Sequence, residues 1–159
     1  EGKTRRVRRT IRPLYLEDVT AAADLHAKAF PDDPWSQDAF ASLLQSPGVG
    51  GWILFFGADE EPTGLLLARH VAEEAEILTL CSHPSRQRQG IASALLGKAI
   101  TSLAALGAQR LFLEVAEDNQ AARLLYQRFG LQEIARRPGY YRRGEGAPAT
   151  ALLLVRNLP

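Results

Sequence analysis

The feature that most restricts the fold is a change of hydrophobic period at Gly90. Before it, apolar segments at 52–57, 64–71 and 75–82 are separated only by short polar turns. Short connections between consecutive strand-like segments are typical of an antiparallel meander. After Gly90, apolar residues recur at helical spacing up to Gly107, which indicates a long amphipathic helix. The centre of the chain is therefore predicted to be a strand meander followed by a helix.

Further segments extend this core in both directions. The predicted elements are a strand at 8–13, helices at 17–29 and 37–45, a strand at 111–115, a helix from Asn119 to Phe129, and strands at 131–136 and 149–155. Loops are expected at 47–51 and between the last two strands, where Gly and Pro concentrate. A strand, helix and strand in succession imply one parallel, right-handed crossover. The predicted fold class is mixed α/β (α+β), a mostly antiparallel sheet of about seven strands flanked by about four helices.

Length and composition favour a single domain. A chain of 159 residues is in the usual range for one domain, which we place at residues 8–159 after a basic arm at 1–7. The single cysteine, Cys81, rules out a disulfide within the chain, as is common in reducing compartments. No apolar stretch reaches the roughly 18 residues that indicate a membrane span, and no signal-peptide pattern is present. We therefore expect a cytoplasmic protein with no membrane partner.

Basic residues are unevenly distributed, although the formal net charge is only +1. They crowd the start and a segment near the end: Lys3, Arg5, Arg6, Arg8, Arg9 and Arg12, then Arg136, Arg137, Arg142 and Arg143. Such patches attract polyanions such as RNA or a phosphorylated cofactor, or they are solvated surface. A solvated arm is the favoured interpretation of the first patch, so nucleic acid is not an expected partner.

The most specific local pattern is the turn Arg86-Gln87-Arg88-Gln89-Gly90-Ile91-Ala92, between a strand and the long helix. A helix N-terminus presents free backbone N–H groups and a partial positive charge, which suit a diphosphate. Gly90 allows the backbone to come close to such a ligand, and Arg86 and Arg88 can add charge-assisted contacts. The turn lacks the Gly-Lys-Ser/Thr of a P-loop and the three glycines of a dinucleotide fingerprint. A plain helix start with exposed side chains is the alternative.

A carboxylate interrupts the apolar strand at 111–115. Strand alternation puts Glu114 on the face opposite Leu113 and Val115. A carboxylate in a central strand is costly unless it is paired or faces a wet cleft. Glu114 is therefore a candidate for acid–base chemistry, and a structural ion pair with an arginine is the alternative.

The histidines do not indicate a metal site. His26, His70 and His83 are scattered and lack the spacing of metal ligands. No Ser-His-Asp arrangement can be read from their order. We therefore expect no metal.

Together these residues resemble a known family. The pattern Gln87-x-x-Gly90-x-Ala92 between a strand and a helix is similar to the acetyl-CoA signature of the GNAT superfamily of N-acetyltransferases, and the predicted element order is also that of the superfamily. Within it, the chain most resembles the RimI-type ribosomal-protein alanine N-acetyltransferases. The similar segments are Pro34-Trp35-Ser36 with Ala39 to Ser42, Gln87 to Ala92, Leu113-Glu114-Val115, Asn119-x-x-Ala122 with Leu125-Tyr126 and Phe129-Gly130, and Arg136-Arg137 with Tyr140-Tyr141.

The resemblance implies a binding site for acetyl-CoA as cosubstrate. A strand segment that splays from its neighbour is expected to offer backbone groups to the pantetheine arm, and it comprises Leu80, Cys81 and Ser82. The residues expected around the diphosphate are Arg88, Gln89, Gly90, Ile91, Ala92 and Ser93, and Asn119 is expected near the pantetheine. The acceptor groove is expected to be bordered by Trp35, Tyr140 and Tyr141. No nucleophilic role falls to Cys81, because the resembled enzymes pass acetyl directly to the amine.

The resemblance also implies two catalytic residues. Glu114 matches the general base, and since an α-amine has a pKa of about 7.7–8.0, a modest base is sufficient to deprotonate it. Tyr126, twelve residues later, matches the general acid that protonates the leaving thiolate. An aromatic side chain on the core face is the alternative interpretation of both Tyr126 and Trp35.

The expected activity is acetyl transfer from acetyl-CoA to the N-terminal amine of a protein, with a ribosomal protein as the favoured class. Two departures from the resembled pattern concern the acceptor side. Pro138-Gly139 precedes the paired tyrosines where an asparagine is expected, and Thr150-Ala151 replaces an Asp-Ala pair. Acetylation of a small-molecule amine therefore stays open, as does a non-catalytic CoA-binding or RNA-associated module.

Overall fold

The computed structural model describes residues 8–141 and 148–159, which build one seven-stranded sheet with helices on both faces. The strands are β1 (Arg9–Pro13), β2 (Val49–Phe56), β3 (Gly64–Val71), β4 (Glu74–Ser82), β5 (Arg110–Ala116), β6 (Gln132–Tyr141) and β7 (Ala149–Asn157). The helices are α1 (Val19–Ala29), α2 (Gln37–Leu44), α3 (Ile91–Ala105) and α4 (Gln120–Arg128), with short 3₁₀ turns at Leu16–Asp18 and Pro84–Arg86. The predicted mixed α/β class is confirmed. The basic arm at 1–7, Arg142 and Arg143 lie outside the described residues.

The strand order across the sheet is β1-β2-β3-β4-β5-β7-β6. Every neighbouring pair is antiparallel except β4 and β5, which run parallel and are connected through α3. A parallel neighbour needs a crossover of this kind because a tight turn would reverse the chain. The predicted crossover at the centre of the sheet is thus confirmed, and it brings the start of α3 to the C-terminal end of β4.

Local sequence explains where two helices begin. The Ser36 hydroxyl accepts a hydrogen bond from the Ala39 backbone N–H over 3.1 Å, and the Asn119 side-chain oxygen accepts one from the Ala122 N–H over 3.2 Å. Each side chain satisfies an N–H group in the first turn, where no carbonyl lies one turn earlier to accept it. The sequence-predicted starts of α2 and α4 are therefore correct.

The apolar side chains divide into a core on each face of the sheet. The larger one lies under α3 and α4 and is built around Leu66, Leu95 and Leu113. The smaller one lies under α1 and α2 and includes Phe40 and Leu65. Because β5 contributes buried side chains only to the α3 side, the opposite face of β5 is left uncovered by helix. That uncovered face carries the candidate site.

Two strands, β2 and β6, extend into residues for which the sequence predicts a loop. Strand β2 begins at Val49, so Gly50 and Gly51 belong to the sheet and not to a loop. A Cβ atom on Gly51 would overlap the Leu66 carbonyl oxygen of β3, so glycine here permits a close approach between two strands. Strand β6 continues through Pro138 to Tyr141, with a shift in its pairing to β7 between Arg137 and Tyr141. An irregular ladder tolerates the proline, which has no N–H to donate.

Candidate active site

A gap opens between the two parallel strands at the centre of the sheet. Strands β4 and β5 pair from Glu74 opposite Arg110 to Ile77 opposite Leu113, and their ladder ends there. Strand β4 nevertheless continues to Ser82 along β3, and β5 continues to Ala116 along β7. The facing edges therefore carry backbone N–H and C=O groups that can bind an extended ligand.

A bulge in β4 marks the start of the gap. Leu67 lies opposite Thr79 while Ala68 lies opposite Ile77, so Leu78 is an extra residue in β4. A bulge bends its strand and increases the local twist. It also interrupts the alternation of side chains, because the consecutive residues Leu78 and Thr79 both face the α1 side, where Leu78 packs against the smaller core and the Thr79 hydroxyl lies 3.2 Å from His26 Nε2. The predicted splay of Leu80, Cys81 and Ser82 away from the neighbouring strand therefore has a local cause.

The turn after β4 adopts the left-handed backbone that a tight approach to a helix requires. Arg88 has a φ of 65° and Gly90 a φ of 76°, and Gly90 immediately precedes the first residue of α3. The first-turn N–H groups of Ile91, Ala92 and Ser93 have no carbonyl one turn earlier to accept them. Arg88 and Gln89 are exposed beside them. These five residues and Gly90 form a compact set of donors of the kind that can bind a diphosphate.

The two arginines of the turn differ in what they contact. Arg86 lies 3.6 Å from the Asp59 carboxylate and sits over the Phe56 ring, 5.1 Å from its centre. The charge of Arg86 is thus directed to the connection between β2 and β3. Arg86 is therefore less suited than Arg88 to the contact with a diphosphate that the sequence suggested for both. Arg88 makes no ion pair with any other residue that the structure describes.

An open pocket of about 310 Å³ lies on the uncovered face, next to the gap. Its walls come from α2, from the loop before α2 and from four strands, and they comprise Trp35, Leu43, Arg69, Glu76, Ile77, Leu78, Glu114 and Tyr141. Two carboxylates, one guanidinium and two aromatic rings thus converge on a small volume. A pocket of this composition can accept a cationic or polar group next to an apolar wall.

Glu114 is exposed to this pocket. The side chains of Leu113 and Val115 are buried on the other face of β5, as strand alternation predicts. Glu114 makes no hydrogen bond or ion pair with another described residue, so a structural partnership with an arginine is absent from this part of the chain. A carboxylate in a wet cleft keeps its lone pairs available to a ligand.

Two charged residues of the pocket were missed by the sequence analysis. Glu76 lies on β4, directly opposite Arg69 on β3, and both line the pocket with Glu114. In the sequence, Glu76 alternates with the buried residues Ala75 and Ile77, which is also the pattern of an ordinary solvent-facing strand position. Only the pairing of β4 with β5 brings the two carboxylates into one pocket.

Tyr126 lies on the inner face of α4 with 7 % of its surface exposed. Burial, and to a smaller extent the neighbouring Tyr141, raise the pKa of Tyr126 to about 12. The phenol therefore keeps its proton throughout the physiological pH range. Tyr141 also lines the pocket that contains Glu114, so this one side chain is near Tyr126 and borders the same pocket as Glu114.

Trp35 is half-buried and is held by α1. Its backbone N–H donates to His26 Nδ1 over 3.0 Å, and its ring stacks on the imidazole with centroids 5.0 Å apart. The Trp35 ring packs on core aromatics, and the residue also lines the pocket. Its expected place beside an acceptor groove stays a prediction.

The remaining sequence-predicted residues, Asn119, Cys81 and Tyr140, differ in burial and in their contacts. Asn119 is exposed at the start of α4, where its side chain caps the helix. Cys81 is buried, and burial raises the pKa of its thiol to about 12, so it stays a neutral apolar-packed group. Tyr140 is 51 % exposed and stands edge-on to Tyr141, with ring centroids 5.3 Å apart, but unlike Tyr141 it does not line the pocket.

Two other classes of site are not found in the described ranges. No cluster of three or more His, Cys, Asp or Glu side chains is arranged to hold a metal ion between residues 8 and 141 or 148 and 159. Over the same residues, each helix is too short or too polar to cross a membrane.

Comparison with known proteins identifies the fold and its chemistry. Residues 19–131 match the acetyltransferase (GNAT) family. The chain belongs to this family. It is an acetyl-CoA-dependent N-acetyltransferase. The splayed strands, the turn before α3 and the pocket beside them are therefore parts of a GNAT fold.

Individual GNAT relatives extend this result. The chain is 32% identical over 122 residues to the [ribosomal protein bS18]-alanine N-acetyltransferase of Haemophilus influenzae. This alignment covers 77% of this chain and 81% of the relative. The crystal structure of the ribosomal-protein-S18-alanine N-acetyltransferase from Escherichia coli superposes with a TM-score of 0.87 at 30% identity, covering 95% of this chain and 94% of that one. NAA60 of Arabidopsis thaliana in complex with acetyl-CoA shares the fold, with a TM-score of 0.83 at 20% identity over 95% of this chain and 99% of that one.

Proposed function

We propose that this GNAT enzyme acetylates the N-terminal α-amine of a protein, and that its substrate is a ribosomal protein beginning with alanine. The relatives from H. influenzae and E. coli bear names for that activity on ribosomal protein bS18 or S18, and each aligns over most of its length. A ribosomal-protein substrate also agrees with the expected cytoplasmic location. The observation that carries the proposal is the placement of Glu114, exposed in a pocket that adjoins the gap between β4 and β5.

The backbone edges along the gap would hold the pantetheine arm, chiefly through Leu80, Cys81 and Ser82. The turn Arg88–Ser93 would bind the diphosphate, and Asn119 would contact the arm from the start of α4. This assignment is supported by the end of the β4–β5 ladder at Ile77 and Leu113 and by the free N–H groups at the start of α3. The bound thioester supplies the activated acetyl group.

In this proposal Glu114 removes a proton from the substrate ammonium, directly or through a water molecule. The amine needs a free lone pair to attack, and an α-amine has a pKa of about 7.7–8.0, so a carboxylate is a sufficient base near neutral pH. Tyr126 then donates its proton to the departing sulfur. Its high pKa keeps it protonated until negative charge develops next to it. Cys81 takes no acetyl group, because its buried thiol is neutral.

The acceptor peptide would lie on the uncovered face, between Trp35 on one side and Tyr140 and Tyr141 on the other. Trp35 and Tyr141 both line the pocket that contains Glu114, which supports this placement. The departures at Pro138 and Gly139 fall where the ladder between β6 and β7 is irregular, immediately before the tyrosines. They therefore bear on which residues after the alanine are accepted.

The test is an acetylation assay with purified protein and acetyl-CoA, reading free thiol release and product mass. The substrates are a peptide that begins with alanine and contains internal lysines, the same peptide with a blocked N-terminus, and a set of small amines. We expect turnover of the free peptide alone, with the added acetyl on the α-amine. Turnover of the blocked peptide or of small amines with greater efficiency would contradict the proposed substrate.

A further inference from the structure

An arginine of the edge strand reaches the phosphate-binding turn. The Arg9 Nη1 donates to the Gln89 and Gly90 carbonyl oxygens, each over 3.2 Å, across about half the length of the chain. Arg9 belongs to the basic segment for which the sequence favoured a solvated role. The two hydrogen bonds instead give Arg9 a defined partner, the backbone of the turn before α3.

The strand register explains how Arg9 reaches the turn. Arg9 pairs with Phe56 across β1 and β2, and side chains of directly opposed residues lie on the same face. Phe56 is part of the core under α3, so Arg9 projects on the α3 side of the sheet. Arg8 precedes Arg9 in the chain and projects to the opposite side by strand alternation.

The two carbonyls that Arg9 holds determine where two N–H groups point. In a trans peptide unit the C=O and the following N–H point in opposite directions. Arg9 on the Gln89 carbonyl therefore directs the Gly90 N–H away from itself, out of the turn. The Gly90 carbonyl also accepts from the Ala94 N–H over 2.9 Å, so Arg9 reinforces the outward direction that the first turn of α3 gives to the Ile91 N–H. Free N–H groups directed outwards at a helix start are the donors that an anion uses.

We propose that Arg9 is a positioning residue for the diphosphate of acetyl-CoA, acting by orienting the backbone N–H groups of Gly90 and Ile91. This inference rests on the proposed role of the turn Arg88–Ser93. The conformation it stabilises is otherwise unfavourable, since Arg88 has a φ of 65°, which a non-glycine side chain rarely adopts. Arg9 thus helps to keep the turn in its binding form before the ligand arrives.

The test compares Arg9→Met with Arg8→Met. Methionine has a similar reach but no donor and no charge, and Arg8 makes no side-chain hydrogen bond or ion pair with another described residue. We expect Arg9→Met to weaken CoA binding about five- to tenfold by calorimetry, as for the loss of one or two hydrogen bonds. Arg8→Met is expected to stay within about twofold of wild type, because it removes the same charge without the contacts.

Two further measurements separate positioning from other roles. Salt at about 1 M reduces the screening length to roughly 3 Å, so a purely electrostatic contribution of Arg9 would disappear there, whereas a positioning effect persists. Acetyl-pantetheine lacks the diphosphate, and its KM as an alternative donor is expected to be unchanged by Arg9→Met. The proposal would be overturned if wild type and Arg9→Met bound CoA equally well at high salt, or if Arg9→Met bound CoA as tightly as wild type under all conditions. It would also be overturned if Arg9→Met raised KM equally for acetyl-CoA and for acetyl-pantetheine. Failure of the wild-type protein to bind CoA would instead refute the proposed cofactor site.

Discussion

His26 and Trp35 are joined twice, by a stacking contact with centroids 5.0 Å apart and by a hydrogen bond of 3.0 Å from the Trp35 backbone N–H to His26 Nδ1. Since Nδ1 accepts, the neutral ring carries its proton on Nε2, which lies 3.2 Å from the Thr79 hydroxyl. Thr79 follows the bulge residue Leu78 in β4. The buried side chain of His26 therefore connects Trp35, in the wall of the pocket that contains Glu114, to β4, the strand whose bulge marks the start of the gap.

The His26 network predicts a specific loss of stability in acid. Burial lowers the pKa of His26 to about 4 from its ordinary value of 6.5, against a smaller opposite effect of Asp33. The unfolded chain therefore binds a proton at this residue between pH 6.5 and 4 while the folded protein does not, and stability falls as the pH decreases through that window. Uptake of one proton by the unfolded chain lowers the free energy of unfolding by at most about 1.4 kcal/mol for each pH unit of acidification.

Urea unfolding of wild type and His26→Gln across this pH range measures the effect. The glutamine variant is expected to be less stable at neutral pH, because it loses the aromatic contacts, but to have a shallower dependence on acid. Parallel pH curves for the two proteins would show that His26 is not the group responsible.

Gly90→Asp is expected to prevent tight binding of acetyl-CoA. Gly90 has a φ of 76°, where a side chain is strained, and its Cβ would lie 3.1 Å from Arg9 Nη1. The new carboxylate would therefore compete with the Gln89 and Gly90 carbonyls for Arg9, and it would add a negative charge to the turn that we expect to bind the diphosphate. Gly107→Asp is a suitable control, since Gly107 also has a positive φ, of 99°, at the far end of α3, with open space around it. Calorimetry with CoA is the measurement, and equal affinities of the two variants would remove the turn from the binding site.

Tyr126→Phe is expected to lower kcat by about 10²–10⁴-fold with little change in acetyl-CoA affinity, because it removes only the proton donor. The ring stays in the same core site, so thermal unfolding should change little. Since the pKa of Tyr126 is about 12, the wild-type rate should show no loss from ionisation of this residue below about pH 11. Single-turnover kinetics would isolate the chemical step, and a wild-type rate in that step would exclude Tyr126 as the acid.

The sequence was sufficient for features that depend on neighbouring residues. The turn before α3 was recognisable from one glycine at a change of period, and the orientation of Glu114 followed from alternation with Leu113 and Val115. Asn119 was recognisable as a cap for the same reason. Each of these signals lies within a few positions along the chain.

Features that depend on long-range pairing could not be predicted in this way. Arg9 is 80 positions from Gln89, and nothing in its own segment distinguishes it from Arg8. Glu76 reaches the pocket only because β4 lies beside β5, and the bulge at Leu78 becomes visible only in the register with β3. The extension of β2 through Gly51 likewise depends on how closely β3 approaches, which overrides the weak strand preference of glycine.

The two carboxylates of the pocket offer a direct test of which one acts as the base. Glu114→Gln and Glu76→Gln remove one negative charge each from the same cavity, on adjacent parallel strands, while keeping side-chain size. We expect a large loss of kcat/KM for Glu114→Gln, about 10²–10⁴-fold near neutral pH, and a small loss for Glu76→Gln. The experiment is a pH–rate profile of both variants beside wild type with an alanine peptide as acceptor.

The pH dependence decides between a general base and a merely electrostatic role for Glu114. Below the amine pKa of about 7.7–8.0, most of the substrate is an ammonium and the reaction depends on a base. Above it the free amine is already present, so the deficit of Glu114→Gln should shrink as the pH rises. A carboxylate that only attracts the cationic substrate would show itself mainly in KM, and adding salt would weaken that effect. If the loss of kcat/KM in Glu114→Gln is the same from low to high pH, with chemistry limiting throughout, Glu114 is ruled out as the base. If the loss shrinks with rising pH in Glu76→Gln instead, the role of base falls to Glu76.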